Sequence, residues 1–100
     1  MRLVFSAEAK ADLVRIGDYI AQDNPVRALS FIDELEARCR ALPAMPLAYP
    51  VVPRHEASGI RRVVHGQYLI FYRADMEAVI ILHVLPGAMN TNALLFPEDG

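Results

Sequence analysis

Ala78-Val79-Ile80-Ile81-Leu82-His83-Val84-Leu85 decides the architecture. Branched aliphatic residues at this density specify a strand. Val79, Ile81 and Leu85 alternate with Ile80, Leu82 and Val84, so both faces of that strand are apolar. An antiparallel sheet usually leaves one face wet. A strand apolar on both sides therefore needs two covers, and the sequence must supply at least one. His83 shares the row of Val79, Ile81 and Leu85, the face left for the chain's own tail or for a partner protein once the helices cover the other.

Working back toward the N-terminus, Ile60–Val64 and Tyr68–Arg73 have the same β-branched and aromatic character. His65-Gly66-Gln67 and Ala74-Asp75-Met76-Glu77 separate the three segments at hairpin lengths. Three antiparallel strands follow, and Leu3-Val4-Phe5 is expected to add a fourth. Arg61 and Arg62 are consecutive, so they point to opposite faces of their strand. Tyr68 and Tyr72 share a face.

Between the first strand and the other three, the period changes from two to that of a helix. Ser6 is a good N-cap and Glu8 suits the positive end of the helix dipole. Ala9, Leu13, Ile16 and Ile20 recur at helical spacing, which predicts a helix over 7–22. Asp23-Asn24-Pro25 ends it and starts another, with Asn24 as cap and Pro25 in the first turn. Ala28, Phe31, Ile32, Leu35, Cys39 and Leu42 form the second stripe. So short a connection makes the two helices an antiparallel hairpin. The fold class is α+β, in the order β-αα-βββ, with an antiparallel sheet packed against the hairpin. The domain is single and spans 1–100.

Pro43, Pro46, Pro50 and Pro53 make 43–58 an ordered but irregular connection of the kind that often carries partner surfaces. Thr91–Phe96 is read as one helical turn capped by Asn90. Cys39, the only cysteine, belongs to the apolar stripe, which excludes an internal disulfide and a cysteine metal cluster. His55-Glu56 lacks further ligands at metal spacing, and no sequence feature calls for a cofactor. No window approaches a membrane span and the N-terminus lacks the pattern of a signal peptide, so the cytosol is the expected compartment.

The net charge of −2 argues against autonomous binding to nucleic acid. It is unevenly spread. Residues 54–73 carry four arginines and one glutamate, while the rest carries six basic and eleven acidic residues. A basic strip on an acidic body can orient an acidic partner, or it can be a solvated sheet edge.

Ala9-x-x-Asp12-Leu13-x-x-Ile16-x-x-Tyr19-Ile20 followed by Asn24-Pro25-x-Arg27-Ala28 resembles the helical hairpin of ParE toxins. Gly59-Ile60-Arg61-Arg62, Tyr68-Leu69-Ile70-Phe71-Tyr72-Arg73 and Val79-Ile80-Ile81-Leu82-x-Val84-Leu85 look like that family's strands. The resemblance covers nearly the whole chain. It implies a RelE/ParE-type fold, a ParD-like antitoxin that wraps the hairpin and sheet, and DNA gyrase as the target. It also implies a hetero-oligomer with the antitoxin, which alone would contact DNA. Val79, Ile81, His83 and Leu85 are then the candidate antitoxin contacts, and Arg61, Arg62 and Arg73 the candidate target contacts. Family members often carry His, Arg and Asp after the last strand. Here Pro86-Gly87-Ala88-Met89-Asn90 stands instead, so the usual basic C-terminal surface is not expected.

Two alternatives stay open. RelE-like toxins cut messenger RNA on the ribosome, which needs a base, an acid and cations for the phosphorane charge. Arg61, Arg62, His65, Tyr68, Tyr72, Arg73 and His83 offer those side-chain types. In RelE nucleases, however, a working arginine follows the tyrosine that opens the central strand, and here that place is Leu69. No tyrosine follows Tyr72 to match their late catalytic one. The expectation is a binder without catalytic residues. The other alternative is a degenerate module that binds an antitoxin and has no target.

Overall fold

The computed structural model describes residues 1–98. Its elements run β1 (Arg2–Phe5), α1 (Ala7–Ala21), α2 (Pro25–Ala41), β2 (Arg61–His65), β3 (Tyr68–Ala74), β4 (Ala78–Pro86) and α3 (Thr91–Leu95). Every expected cap is made. Ser6 Oγ accepts from the Ala9 amide at 2.9 Å, Asn24 Oδ1 from Arg27 at 3.0 Å, and Asn90 Oδ1 from Ala93 at 3.2 Å. Each satisfies an amide that the first helical turn leaves without a partner.

The sheet order is β1-β4-β3-β2. β2/β3 and β3/β4 are antiparallel, but β1 runs parallel to β4, with Arg2 opposite Ala78 and Phe5 opposite Ile81. The antiparallel sheet expected from the sequence is therefore a mixed one. β1 and β4 are joined by nearly all the intervening chain, and a connection that long can return a strand in the parallel sense.

The β3/β4 register slips. Phe71 faces His83 while Tyr72 faces Ile81, leaving Leu82 as the extra residue of a β-bulge. Side-chain alternation inverts across it. Val79 and Ile81 lie in the core against the hairpin, with Ile16, Phe31, Leu35 and Cys39, and beyond the bulge Val84 joins them. Leu85 belongs instead to a second core on the back of the sheet, with Val52, Ile60 and Phe71. Val79, Ile81, His83 and Leu85 thus do not form one face. The expected exposed row is corrected on that point, since its three apolar members are fully buried within the chain.

The second cover comes from this chain. Leu95 and Phe96 pack on the back core with Leu69 and Leu82, and the Phe96 ring stacks on His55 at 3.7 Å. The proline-rich connection closes the same side, with Val52 donating to the Ile60 carbonyl at 2.8 Å. It is irregular but well tied. Tyr72 Oη donates to the Pro46 carbonyl at 2.8 Å, and Arg61 Nη1 donates to Tyr49 at 2.6 Å.

Candidate partner-binding surfaces

Three of the side chains with chemistry in them are committed to the scaffold. Burial pushes the Tyr72 phenol above its ordinary pKa, and its hydroxyl is spent on Pro46. Arg61 holds the proline loop by its carbonyls. Cys39 is buried, and desolvation lifts its thiol to about 12, so it carries no thiolate at neutral pH.

Asp12 is the residue that sequence reasoning left without a role. It sits three residues after Ala9 and four before Ile16, on the inward stripe of α1, and is 2% exposed. Its carboxylate accepts from the Val84 amide at 2.9 Å, from His83 Nδ1 at 2.8 Å and from Arg15 at 2.9 Å. Ser6 completes this clamp, donating its hydroxyl to the Leu82 carbonyl at 2.8 Å. β1 ends at Phe5, so the N-cap Ser6 and, further along α1, Asp12 take over as hydrogen-bond partners for the bulged part of β4. His83 is accordingly tied to α1. A carboxylate inside an apolar stripe was the available signal, because such a group must find donors when buried.

The arginines part company. Arg62 pairs with Phe71 and so lies on the back of the sheet. Arg73 is there too, its aliphatic stem beside Gly59, whose φ of 72° is a left-handed turn. Neither has a hydrogen-bonded acid among the described residues. Tyr68 lies on the opposite, hairpin side of the sheet, and burial followed by the nearby Tyr19 raises its phenol. His65 is held by Glu34 at 3.2 Å. Glu34 in turn is kept below the usual carboxylate range chiefly by its hydrogen bond to Arg27.

Two concave surfaces are open. A cleft of about 590 Å³ at the end of the sheet is lined by Arg15, Tyr19, Tyr68, Leu69, Val84 and Pro86 among others. A groove of about 730 Å³ runs along the outside of the hairpin, floored by Leu13, Gly17, Ala21, Ala28 and Ile32. Val14 and Leu29, which line the groove, are each more than 60% exposed, so the hairpin's outer face is apolar as well as concave. Among the described residues no helix is long and apolar enough to cross a membrane.

Solved structures share this architecture. One described as the chromosomal ParDE TA system from P. aeruginosa is 21% identical, with a TM-score of 0.73, covering 86% of this chain and 95% of that one. Another, the toxin–antitoxin complex RelBE2 from Mycobacterium tuberculosis, is 25% identical with a TM-score of 0.63, covering 85% and 95%. Among curated proteins none matches. Residues 3–91 fit the model of the ParE toxin of the type II toxin–antitoxin system parDE. With the mixed sheet, the capped hairpin and nearly the full length accounted for, the chain belongs to the ParE toxin family.

Proposed function

We propose that this ParE-family toxin is neutralised by a ParD-like antitoxin and acts in the cytoplasm by binding DNA gyrase rather than by catalysis. The observation that carries the reading is the dispersal of the groups a ribonuclease would need. Tyr72 and Arg61 are spent on loop carbonyls, and of the two strand histidines only His65 stands beside Tyr68, while His83 is tied to α1. The remaining strand arginines, Arg62 and Arg73, lie on the face of the sheet opposite Tyr68, and Arg15, which shares the cleft with Tyr68, is paired with Asp12. General acid, general base and phosphate-binding cations must converge within hydrogen-bond reach of one scissile group. Arg62 and Arg73 are better placed as target contacts, with Arg61 supporting the loop beside them. DNA is contacted only through the antitoxin, in a hetero-oligomer.

The test is supercoiling by purified gyrase with the toxin added, then the toxin with its antitoxin. Inhibition relieved by antitoxin is the expected result. The likeness to RelBE2 favours a second reading, ribosome-dependent mRNA cleavage. Cuts in ribosome-bound messages, with gyrase unaffected, would replace the first reading by the second.

A further inference from the structure

The tail lies on the back of the sheet without backbone fastening. Gly87 donates its amide to the Gln67 carbonyl at 2.8 Å. Beyond it the backbone bonds close within the segment, Met89 on Pro86, Thr91 on Met89 and Phe96 on Asn92. Among the described residues no backbone hydrogen bond joins 91–96 to the sheet or to the proline-rich connection. That connection covers the same core and is the contrast, since Tyr72, Arg61 and the Arg62 amide all bind its carbonyls. The tail is held by apolar contact, with Leu95 and Phe96 against the back core and the Phe96 ring on His55. A five-residue helix is marginal by itself, and the exposed stretch 88–90 can hinge it away without breaking the sheet pairing.

Beneath the tail lie Val52, Ile60, Phe71 and Leu85, all buried. The two sheet arginines without a hydrogen-bonded acid border them. Arg62 is opposite Phe71 across β2 and β3, and Arg73 follows Phe71 by two residues on the same face. An apolar centre with a charged rim is the composition of a protein-binding surface, yet the free chain keeps this one shut. The tail itself reads Leu94-Leu95-Phe96-Pro97-Glu98-Asp99, an apolar anchor followed by acids. We infer that the back core receives the target, and that residues 91–96 are a strap which occupies it in the free toxin. The target segment that replaces the strap shares its chemistry, with an apolar anchor in place of Leu95 and Phe96 and carboxylates that meet Arg62 and Arg73. This rests on the gyrase reading above and adds where the target binds and what competes for the place. A surface available only in the open fraction of molecules binds with an affinity reduced by that fraction.

A His55→Cys/Phe96→Cys variant, joined through a short bis-thiosulfonate linker that a reductant removes, fixes the strap shut. Cys39 is buried and protonated, so it does not compete for the linker. Gyrase supercoiling is titrated with the linked protein, the same protein after reduction, Phe96→Ala and the parent, each checked for folding by circular dichroism. The linked form should need about tenfold or more of the concentration that its reduced form needs, and Phe96→Ala should inhibit at several-fold lower concentration than the parent. Adding Arg62→Glu and Arg73→Glu to Phe96→Ala should remove that gain. Where the cysteine pair does not fold, Phe96→Ala against the parent carries the test. Equal potency of linked and reduced protein, a folded Phe96→Ala no more potent than the parent, or a gain that survives the charge reversal overturns the inference and leaves the gyrase reading intact. Gyrase untouched by the parent and the open forms alike overturns that reading, and the inference with it.

Discussion

Asp12 and His83 stand 71 residues apart in the chain and are joined by a 2.8 Å hydrogen bond between the first helix and the last strand. The same carboxylate oxygen holds the Val84 amide, so one buried side chain fixes both the bulge and the seat of α1 on the sheet.

Replacing Asp12 by alanine leaves a buried amide and an imidazole without their acceptor. The expected loss is about 2–4 kcal/mol, whereas Asp12→Asn, which keeps one acceptor oxygen, should cost less. Urea denaturation of both variants measures this. A loss below about 0.5 kcal/mol for the alanine variant would mean that the clamp contributes nothing.

The back cover can be tested by removing its aromatic. Phe96→Ala deletes the ring that stacks on His55 and packs over the second core. Because Phe96 is only partly buried, about 1–3 kcal/mol should be lost, less than for a full core phenylalanine. A rise in binding of a hydrophobic dye should accompany it. Unchanged stability and dye binding would show that the tail does not seal the sheet.

The three arginines should separate. Arg61→Ala is expected to lower thermal stability, because the carbonyls of Tyr49 and Leu47 lose their donor. Arg62→Ala and Arg73→Ala should melt like the parent, inhibit gyrase less, and do so with a weaker salt dependence, as rim charges act mainly through association rate. If both inhibit like the parent at every salt concentration, the basic strip is a solvated edge and the target surface lies elsewhere.

Asp75 governs the β3–β4 turn. Its carboxylate is held below the ordinary range by the amides of Glu77 and Ala78, at 2.8 and 2.7 Å. A carboxyl whose pKa is depressed by folding stabilises above its unfolded pKa, and that contribution fades as the pH falls through the folded one. Hydrogen exchange at Glu77 and Ala78, corrected for intrinsic rates, should lose protection across that acid range. In Asp75→Asn the loss should no longer track pH, and an identical profile in both proteins would refute the assignment.

Much of this was legible in the residues because much of it is local. Ser6, Asn24 and Asn90 cap the helices that their own neighbours define, and the change of period at Ile60 marks where strands begin. What escaped was set by partners far along the chain. Strict alternation put Val79, Ile81, His83 and Leu85 on one face, and one extra residue at Leu82 was enough to divide them. No residue near Leu82 announces the bulge, since the groups that stabilise it belong to Ser6 and Asp12. The direction of β1 was hidden for the same reason, because a four-residue strand carries no record of which neighbour it will meet. Of the candidate surfaces, the arginine strip was visible as composition. The acidic hairpin groove was not, because it needs two helices side by side before Asp18 and Asp33 face the same trough.

The parallel pairing of β1 with β4 also sets an order in time. Among the described residues β1 pairs only with residues 78–81 of the sheet, so it must wait for the more than seventy residues between them to be synthesised. Contacts of such separation are closed late, after the hairpin and the β2–β3 pair have formed from near neighbours. A nascent chain stalled before β4 would carry a finished helical hairpin, groove included, on an unfinished sheet. An antitoxin that recognises the hairpin would therefore have its docking site before the toxin has its complete fold, and neutralisation could begin during translation.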